Sequence, residues 1–276
     1  MKDSAALRRK AEVLRALHHG PEPLLLLNAW DAASACVVES LGFPAIATTS
    51  SGVANALGYA DGEHLSREEM LAAVTRIARA VAVPVSADLE AGYGANTGAV
   101  AETVRLAVTA GVAGFNLEDS RGGVLLPLDQ AVARVQAARA TADAAGVPLV
   151  INARTDVFHP GYFQGDTFKE AARRANAYRE VGADCLFLPF VSDAVTIGRL
   201  VKAIHGPINI LAAVSTPPLP ELKDLGVARV SVGGALARAA LTVIRQAAQE
   251  LHNTGSFDFT GHIISHAEMN TLFNRE

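Results

Sequence analysis

Two acidic segments carry the chemistry that can be read from this chain. Asp88 and Glu90 lie two residues apart in Pro84-Val-Ser-Ala-Asp-Leu-Glu-Ala-Gly-Tyr-Gly94, and Glu118 lies in Gly114-Phe-Asn-Leu-Glu-Asp-Ser120. Each segment begins apolar and breaks into acid at its C-terminal end, the pattern of a buried parallel strand that delivers oxygen atoms to a loop. A buried carboxylate without a partner is costly, so a hard cation, Mg2+ or alternatively Mn2+, is its natural complement. If strand geometry continues past Asp88, both side chains of the pair face one side. Asp61, in the loop 57–62, makes a fourth acid. Mg2+ keeps several waters, so some of the four would act through water. The competing use of Glu90 and Glu118 is a salt bridge to Arg154, and Arg154 in turn offers a rigid fork of donors to a substrate carboxylate or oxo oxygen. Thr49, Ser50 and Ser51 precede Gly52 and suit an anion contacted through hydroxyl and backbone N–H groups. Trp30 is placed to wall the pocket, and Asp31 to cap the next helix.

These residues need elements to carry them. Short β-rich runs recur at 24–28, 45–48, 85–88, 114–118, 149–153, 185–188, 208–211 and 229–232, each followed by an Ala-rich helical pattern. Glycine follows five of the helical patterns, at Gly42, Gly111, Gly146, Gly182 and Gly226, as a helix C-terminus requires. Eight β-then-α units in 276 residues predict one α/β domain over 1–276, a TIM-type (β/α)8 barrel. A doubly wound sheet would show a glycine-rich turn after its first strand, and Leu27-Asn-Ala-Trp-Asp31 is not one. The barrel places Asn28, Thr49, Asp88, Glu118, Arg154 and Pro189 at strand C-termini, the face on which barrel active sites are built. A helix over 4–17 is expected to cap the barrel or pack on a neighbour. The tail 255–276 is apolar and helical in pattern, and suits an oligomer contact or a fold back onto its own barrel.

Composition narrows the partners. A net charge of -4 with scattered Lys and Arg excludes the basic stripe of a nucleic-acid or anionic-membrane binder, and favours a small anionic metabolite. No run approaches the length of a membrane span, and the first ten residues lack the apolar core of a signal peptide. Only two cysteines are present, Cys36 and Cys185, both in apolar segments. A cytoplasmic protein with reduced thiols is expected.

Six motifs in order, Leu27-Asn-Ala-Trp-Asp, Thr49-Ser-Ser-Gly-Val, Ala56-Leu-Gly-Tyr-Ala-Asp61, Ala87-Asp-Leu-Glu-Ala-Gly-Tyr-Gly94, Asn116-Leu-Glu-Asp119 and Asn152-Ala-Arg-Thr-Asp156, resemble the isocitrate lyase / phosphoenolpyruvate mutase superfamily over residues 24 to 251. The resemblance implies Asp88 as the direct Mg2+ ligand, with Asp61, Glu90 and Glu118 acting mainly through water. It implies Thr49, Ser50 and Ser51 as the turn around one end of a 2-oxo or 2-hydroxy acid, with Asn116 nearby and Arg154 gripping an acid group. It also implies a tetramer of dimers that exchange C-terminal helices. Asp61, Glu118 and Arg154 are the candidate catalytic residues.

The lyase branch carries a Lys-Lys-Cys-Gly-His or Lys-Arg-Cys-Gly-His lid, whereas the stretch here is Ser120-Arg-Gly-Gly-Val-Leu-Leu-Pro127. Glu90 stands where Asp is common, and Asn116 and Pro189 where His or Glu is frequent. Without the lid cysteine, the expected reaction is Mg2+-dependent decarboxylation of an oxaloacetate-like acid, since water can protonate the enolate. Alternatives are a methylisocitrate-type retro-aldol lyase using Ser120, Arg121 or water, an enzyme of P–C bond chemistry, and a non-catalytic 2-oxo acid binding protein.

Overall fold

The structure is a computed structural model and describes residues 2–274. Its strands are β1 (Leu24–Leu26), β2 (Asn28–Ala29), β3 (Ile46–Thr48), β4 (Val85–Asp88), β5 (Gly114–Glu118), β6 (Ser120–Arg121), β7 (Val124–Leu125), β8 (Val150–Arg154), β9 (Cys185–Leu188), β10 (Ile208–Leu211) and β11 (Arg229–Ser231). Nine of these form one parallel sheet in the order β1-β11-β10-β9-β8-β5-β4-β3-β2. Because β1 and β2 are successive halves of one strand, pairing with β11 and β3 respectively, the sheet closes on itself as the eight-unit barrel that the repeat predicts. The expected first strand is thus split at Leu27, whose carbonyl still accepts from the Ala47 N–H at 3.0 Å. Asn28 fastens this seam: its Nδ2 donates to the Thr48 carbonyl at 2.8 Å, and its Oδ1 accepts from the N–H groups of Val232 and Gly233 at 3.0 and 2.9 Å.

The helices are α1 (Lys2–Leu17), α2 (Ala32–Ser40), α3 (Ser50–Ala56), α4 (Arg67–Ala80), α5 (Thr97–Ala110), α6 (Leu128–Ala144), α7 (Thr167–Glu180), α8 (Ala194–Ala203), α9 (Leu219–Asp224), α10 (Ala235–Thr254) and α11 (His266–Phe273). Asp31 caps α2 as expected, and Ser66 with Glu69 forms a capping box on α4. α1 buries Leu7, Ala11 and Leu14, and Leu14 packs beside Gly114 at the start of β5. It therefore closes the end of the barrel opposite the acids. Close packing also explains Gly114 itself, where a Cβ would lie 2.6 Å from the Val150 carbonyl oxygen of the neighbouring strand.

Two elements go beyond the sequence reading. Residues 50–56, where only a turn at Thr49 to Ser51 is expected, form α3, with the Thr49 hydroxyl accepting from the Gly52 N–H. The lid segment forms a two-stranded hairpin, β6 with β7. The tail turns through a 3-10 segment, Asp258–His262, and brings α11 against α2 of its own barrel, while Phe257, Ile263, Ile264 and Phe273 remain exposed. Cys36 and Cys185 are buried. Among the described residues no helix is long and apolar enough to cross a membrane.

Candidate active site

At the C-terminal end of the strands opens a cavity of about 850 Å3, lined on one side by Thr49, Ser50, Ser51, Asp61, Asp88, Asn116 and Arg154. Asp88 ends β4 and is buried, with its own N–H donating to Thr48 Oγ1 at 2.9 Å. One carboxylate oxygen accepts from the Ser50 N–H at 3.1 Å, and the other from Asn116 Nδ2 at 3.5 Å. The Asn116 amide is itself oriented by Asn152, whose Nδ2 donates to Asn116 Oδ1 at 2.7 Å. No Lys, Arg or His among the described residues forms an ion pair with Asp88, so its charge faces the cavity with weak neutral donors only.

The other acids are engaged. Glu118 pairs with Arg154 Nη1 at 2.6 Å, and Asp156 with Arg154 Nε at 2.7 Å. Burial pushes Glu118 upward, with Asp156, Asp88 and Glu90 adding to the push and Arg154 opposing it. Arg154 stays protonated because Glu118 and Asp156 outweigh the burial that disfavours its charge. The expected pairing of Arg154 with the acid cluster is present: two of its nitrogens bind acids, and Nη2 has no protein acceptor among the described residues. Asp61, at the exposed mouth, has its pKa raised by partial burial and then by the Asp88 charge.

Glu90 does not continue the strand. Its φ of 50° turns the chain, and its oxygens accept from the Glu63 N–H and, at 2.9 Å, from the Tyr93 hydroxyl. Burial first, and the Asp88 charge second, push its pKa to about 7. It lines, with Glu118, a neighbouring recess under the hairpin, which also contains Asp61, Ser120 and Arg121. Trp30 is displaced from its expected place. It is not among the residues lining the cavity, because its Cβ packs where a side chain on Gly52 would stand, beneath α3. Ser120 and Arg121 are likewise occupied, the Ser120 hydroxyl donating to Asp156 and Arg121 pairing with Glu63 at 2.9 Å.

Sequence reasoning missed two groups. Asp119 and Asp156 support the site from behind: Asp119 accepts from the Asp156 N–H at 2.9 Å, from Tyr178 at 2.7 Å and from Arg174 at 3.0 Å. Both lie in quoted motifs, yet nothing local marks the partners of Asp119 on α7 or those of Asp156 on β6 and β8. Arg238, in the first turn of α10, lines the cavity without an ion-pair partner among the described residues. No motif announces it, since an arginine in a helix usually faces solvent.

A divalent cation fits this donor set. Among the described residues no group of three or more His, Cys, Asp or Glu side chains could form a protein-only cage. Mg2+ does not need one, because it takes one or two carboxylates and completes its shell with water and substrate oxygens. Asp88, buried and without an ion pair among the described residues, lines the main cavity where Glu90 does not, and is the residue that would hold it directly.

The phosphoenolpyruvate phosphomutase family model matches residues 14–252. The chain belongs to this family. An uncharacterized protein of Mycobacterium tuberculosis is 34% identical over 84% of this chain and 86% of its own. The oxaloacetate decarboxylase of Bradyrhizobium diazoefficiens is 29% identical, over 90% of this chain and 85% of its own, and the 2-methylisocitrate lyase of Escherichia coli is 28% identical over 90% and 85%. Among solved structures, oxaloacetate acetylhydrolase with its product oxalate superposes with a TM-score of 0.84 at 26% identity, covering 95% of this chain and 93% of that one. The family barrel is thus the fold expected from the motifs, and the relatives named for an activity, the decarboxylase, the lyase and the acetylhydrolase, are enzymes.

Proposed function

We propose that this protein is a Mg2+-dependent carbon–carbon lyase that decarboxylates a 2-oxo dicarboxylate of the oxaloacetate type. The observation that carries the reading is the buried, unpaired Asp88 carboxylate facing the same cavity as Arg154 and the Thr49–Ser51 turn. The names of two relatives, an oxaloacetate decarboxylase and a 2-methylisocitrate lyase, support carbon–carbon bond cleavage in a small polycarboxylate. A bound cation would supply positive charge at the 2-oxo oxygen, where negative charge develops. In the reaction the bond from C3 to the departing carboxylate breaks, CO2 leaves, and the electron pair passes into the C2–O group. C3 then takes a proton from water, giving the shorter 2-oxo acid. Arg154 Nη2 and the Ser50 and Ser51 groups hold the retained carboxylate, and Arg238, whose guanidinium lies beside Ser51 around Gly234, offers a second cationic contact.

The occupied state of Ser120 and Arg121 favours this over the retro-aldol alternative, since neither presents a free acid at the cavity. Pyruvate release from oxaloacetate with Mg2+ should exceed the metal-only rate, and isocitrate and methylisocitrate should react slowly or not at all. Cleavage of either tricarboxylate faster than any 2-oxo acid would overturn the assignment.

The same reading includes a homo-oligomer, a tetramer of dimers that exchange C-terminal helices. It is supported by α10, in which only Ala237 is buried while Leu241, Val243 and Ile244 are each more than half exposed.

A further inference from the structure

The cavity has two chemically distinct halves. The side built by the ends of β3, β4, β5 and β8 is polar, carrying Ser50, Asp88, Asn116 and Arg154. The side that follows β9 and β10 is not: Pro189, Phe190, Val191, Leu211 and Val214 line it, with Phe187 between the halves, 5.7 Å from the Arg154 guanidinium. The one polar side chain in the lining runs 189–192 and 211–214 is Ser192, whose hydroxyl accepts from Ser215 at 2.8 Å. A second carboxylate or a hydroxyl directed against Pro189, Val191 and Leu211 would give up hydration for apolar contact and gain at most the Ser192 hydroxyl, an unfavourable exchange. An apolar group directed there would lose nothing.

Size leads to the same conclusion. A cavity of about 850 Å3 lies in the range of sites that hold drug-sized molecules, well above what a four-carbon acid fills. Its rim is also furnished for an apolar contact. Phe190 is 49% exposed and held at φ 65°, a conformation costly for a bulky residue, and its ring meets His159 edge-on with a centroid distance of 4.6 Å. His159 stacks in turn on Tyr162 at 3.8 Å. An aromatic ring kept in a strained, exposed position over an apolar wall is placed to cover something other than solvent.

We infer that the substrate carries an apolar substituent on C3, an alkyl or aryl group seated against the wall formed after β9 and β10, so that the enzyme acts on 3-substituted oxaloacetates in preference to oxaloacetate itself. This inference rests on the lyase reading for the reaction but not for the wall. The two are separable because the products of such substrates are 2-oxo acids of increasing chain length, and these can be titrated without turnover.

The experiment is calorimetry of the full-length protein in Mg2+ with pyruvate, 2-oxobutyrate, 2-oxopentanoate and 2-oxohexanoate, alongside turnover of the matching 3-alkyl oxaloacetates. Affinity should rise about 3- to 4-fold per methylene, the gain expected from burying each CH2 group, or some 30-fold or more across the series. Leu211→Asn should flatten that rise. Phe190→Asn, at an exposed position whose left-handed backbone suits asparagine, should reduce it without a folding penalty. A rise in affinity with no turnover of any member would sink the lyase reading and leave the apolar wall standing. Turnover of oxaloacetate with affinity flat or falling along the series would overturn the inference.

Discussion

Asp88 and Arg154 are the positions whose replacement reports most directly on the proposed chemistry. Asp88 is buried at the cavity wall with two neutral donors, one of them long, and no ion pair among the described residues, so its oxygens keep capacity for a cation. In Asp88→Ala, calorimetry should show loss of cation-dependent 2-oxo acid binding, and binding that persists equally in EDTA in the wild type would refute the assignment. Arg154 differs because it already pairs with Glu118 and Asp156 and, in the proposed reaction, would also hold the substrate carboxylate. Arg154→Ala should lower kcat/KM for the 2-oxo acid by roughly 10² or more, the scale of one lost transition-state charge contact. A fall of less than tenfold would confine Arg154 to neutralising Glu118 and Asp156.

At the scale of elements, the site depends on strand ends held in register by contacts too tight to tolerate extra atoms. β5 carries both Asn116 and Glu118, and it lies against β8 from Gly114↔Val150 to Glu118↔Arg154. That register sets the Glu118–Arg154 pair side by side. A methyl group at Gly114 would press on the Val150 backbone oxygen and on Leu14 of α1, and backbone cannot swing aside as a side chain can. Gly114→Ala should therefore cost about 1–3 kcal/mol in denaturant unfolding, the range for overpacked interiors. An unchanged midpoint would show that the barrel and its α1 plug yield more than their packing implies. The hairpin β6–β7 works in the opposite sense, holding Ser120 and Arg121 on Asp156 and Glu63 and so denying the site a free lid acid.

Across the whole molecule, two features reach beyond the site. His18, just after α1, is buried at the closed end of the barrel, where its Nδ1 donates to the Leu14 carbonyl at 2.8 Å and Nε2 has no partner among the described residues. Burial, reinforced by the charge of Arg229, depresses its pKa to about 3. A histidine held neutral when folded stabilises fully above its unfolded pKa of about 6.5, and this contribution is lost as pH falls toward the folded value. By about pH 4.5 the loss should reach roughly 3 kcal/mol. Thermal unfolding from pH 7 downward should be visibly less acid-sensitive in His18→Gln, and equal slopes would remove His18 as the cause. At the other end of the chain, α10 and the tail expose Leu241, Ile244, Phe257 and Ile263. Deleting the residues after Thr254 should lower the mass seen by light scattering, whereas a monomeric full-length protein would refute the oligomer.

The periodicity of the chain was enough for the barrel, because each strand is short, buried on both faces and closed by an acid or a turn, so its local pattern and its tertiary role coincide. The same holds for Asp88, Asn116, Glu118 and Arg154: a strand end on this face points into the site wherever its neighbours lie. Residues beyond the strand ends obey no such rule. Glu90 leaves the strand direction through its left-handed backbone, and Trp30 is drawn under α3 by the space that Gly52 leaves. Arg238, Asp119 with its partners on α7, and the apolar wall after β9 and β10 are assembled from segments far apart in the chain. Local patterns specify which atoms a segment offers. Which of those atoms share a cavity, and which are already consumed by a partner, is decided only when the closed sheet brings distant loops within hydrogen-bonding range.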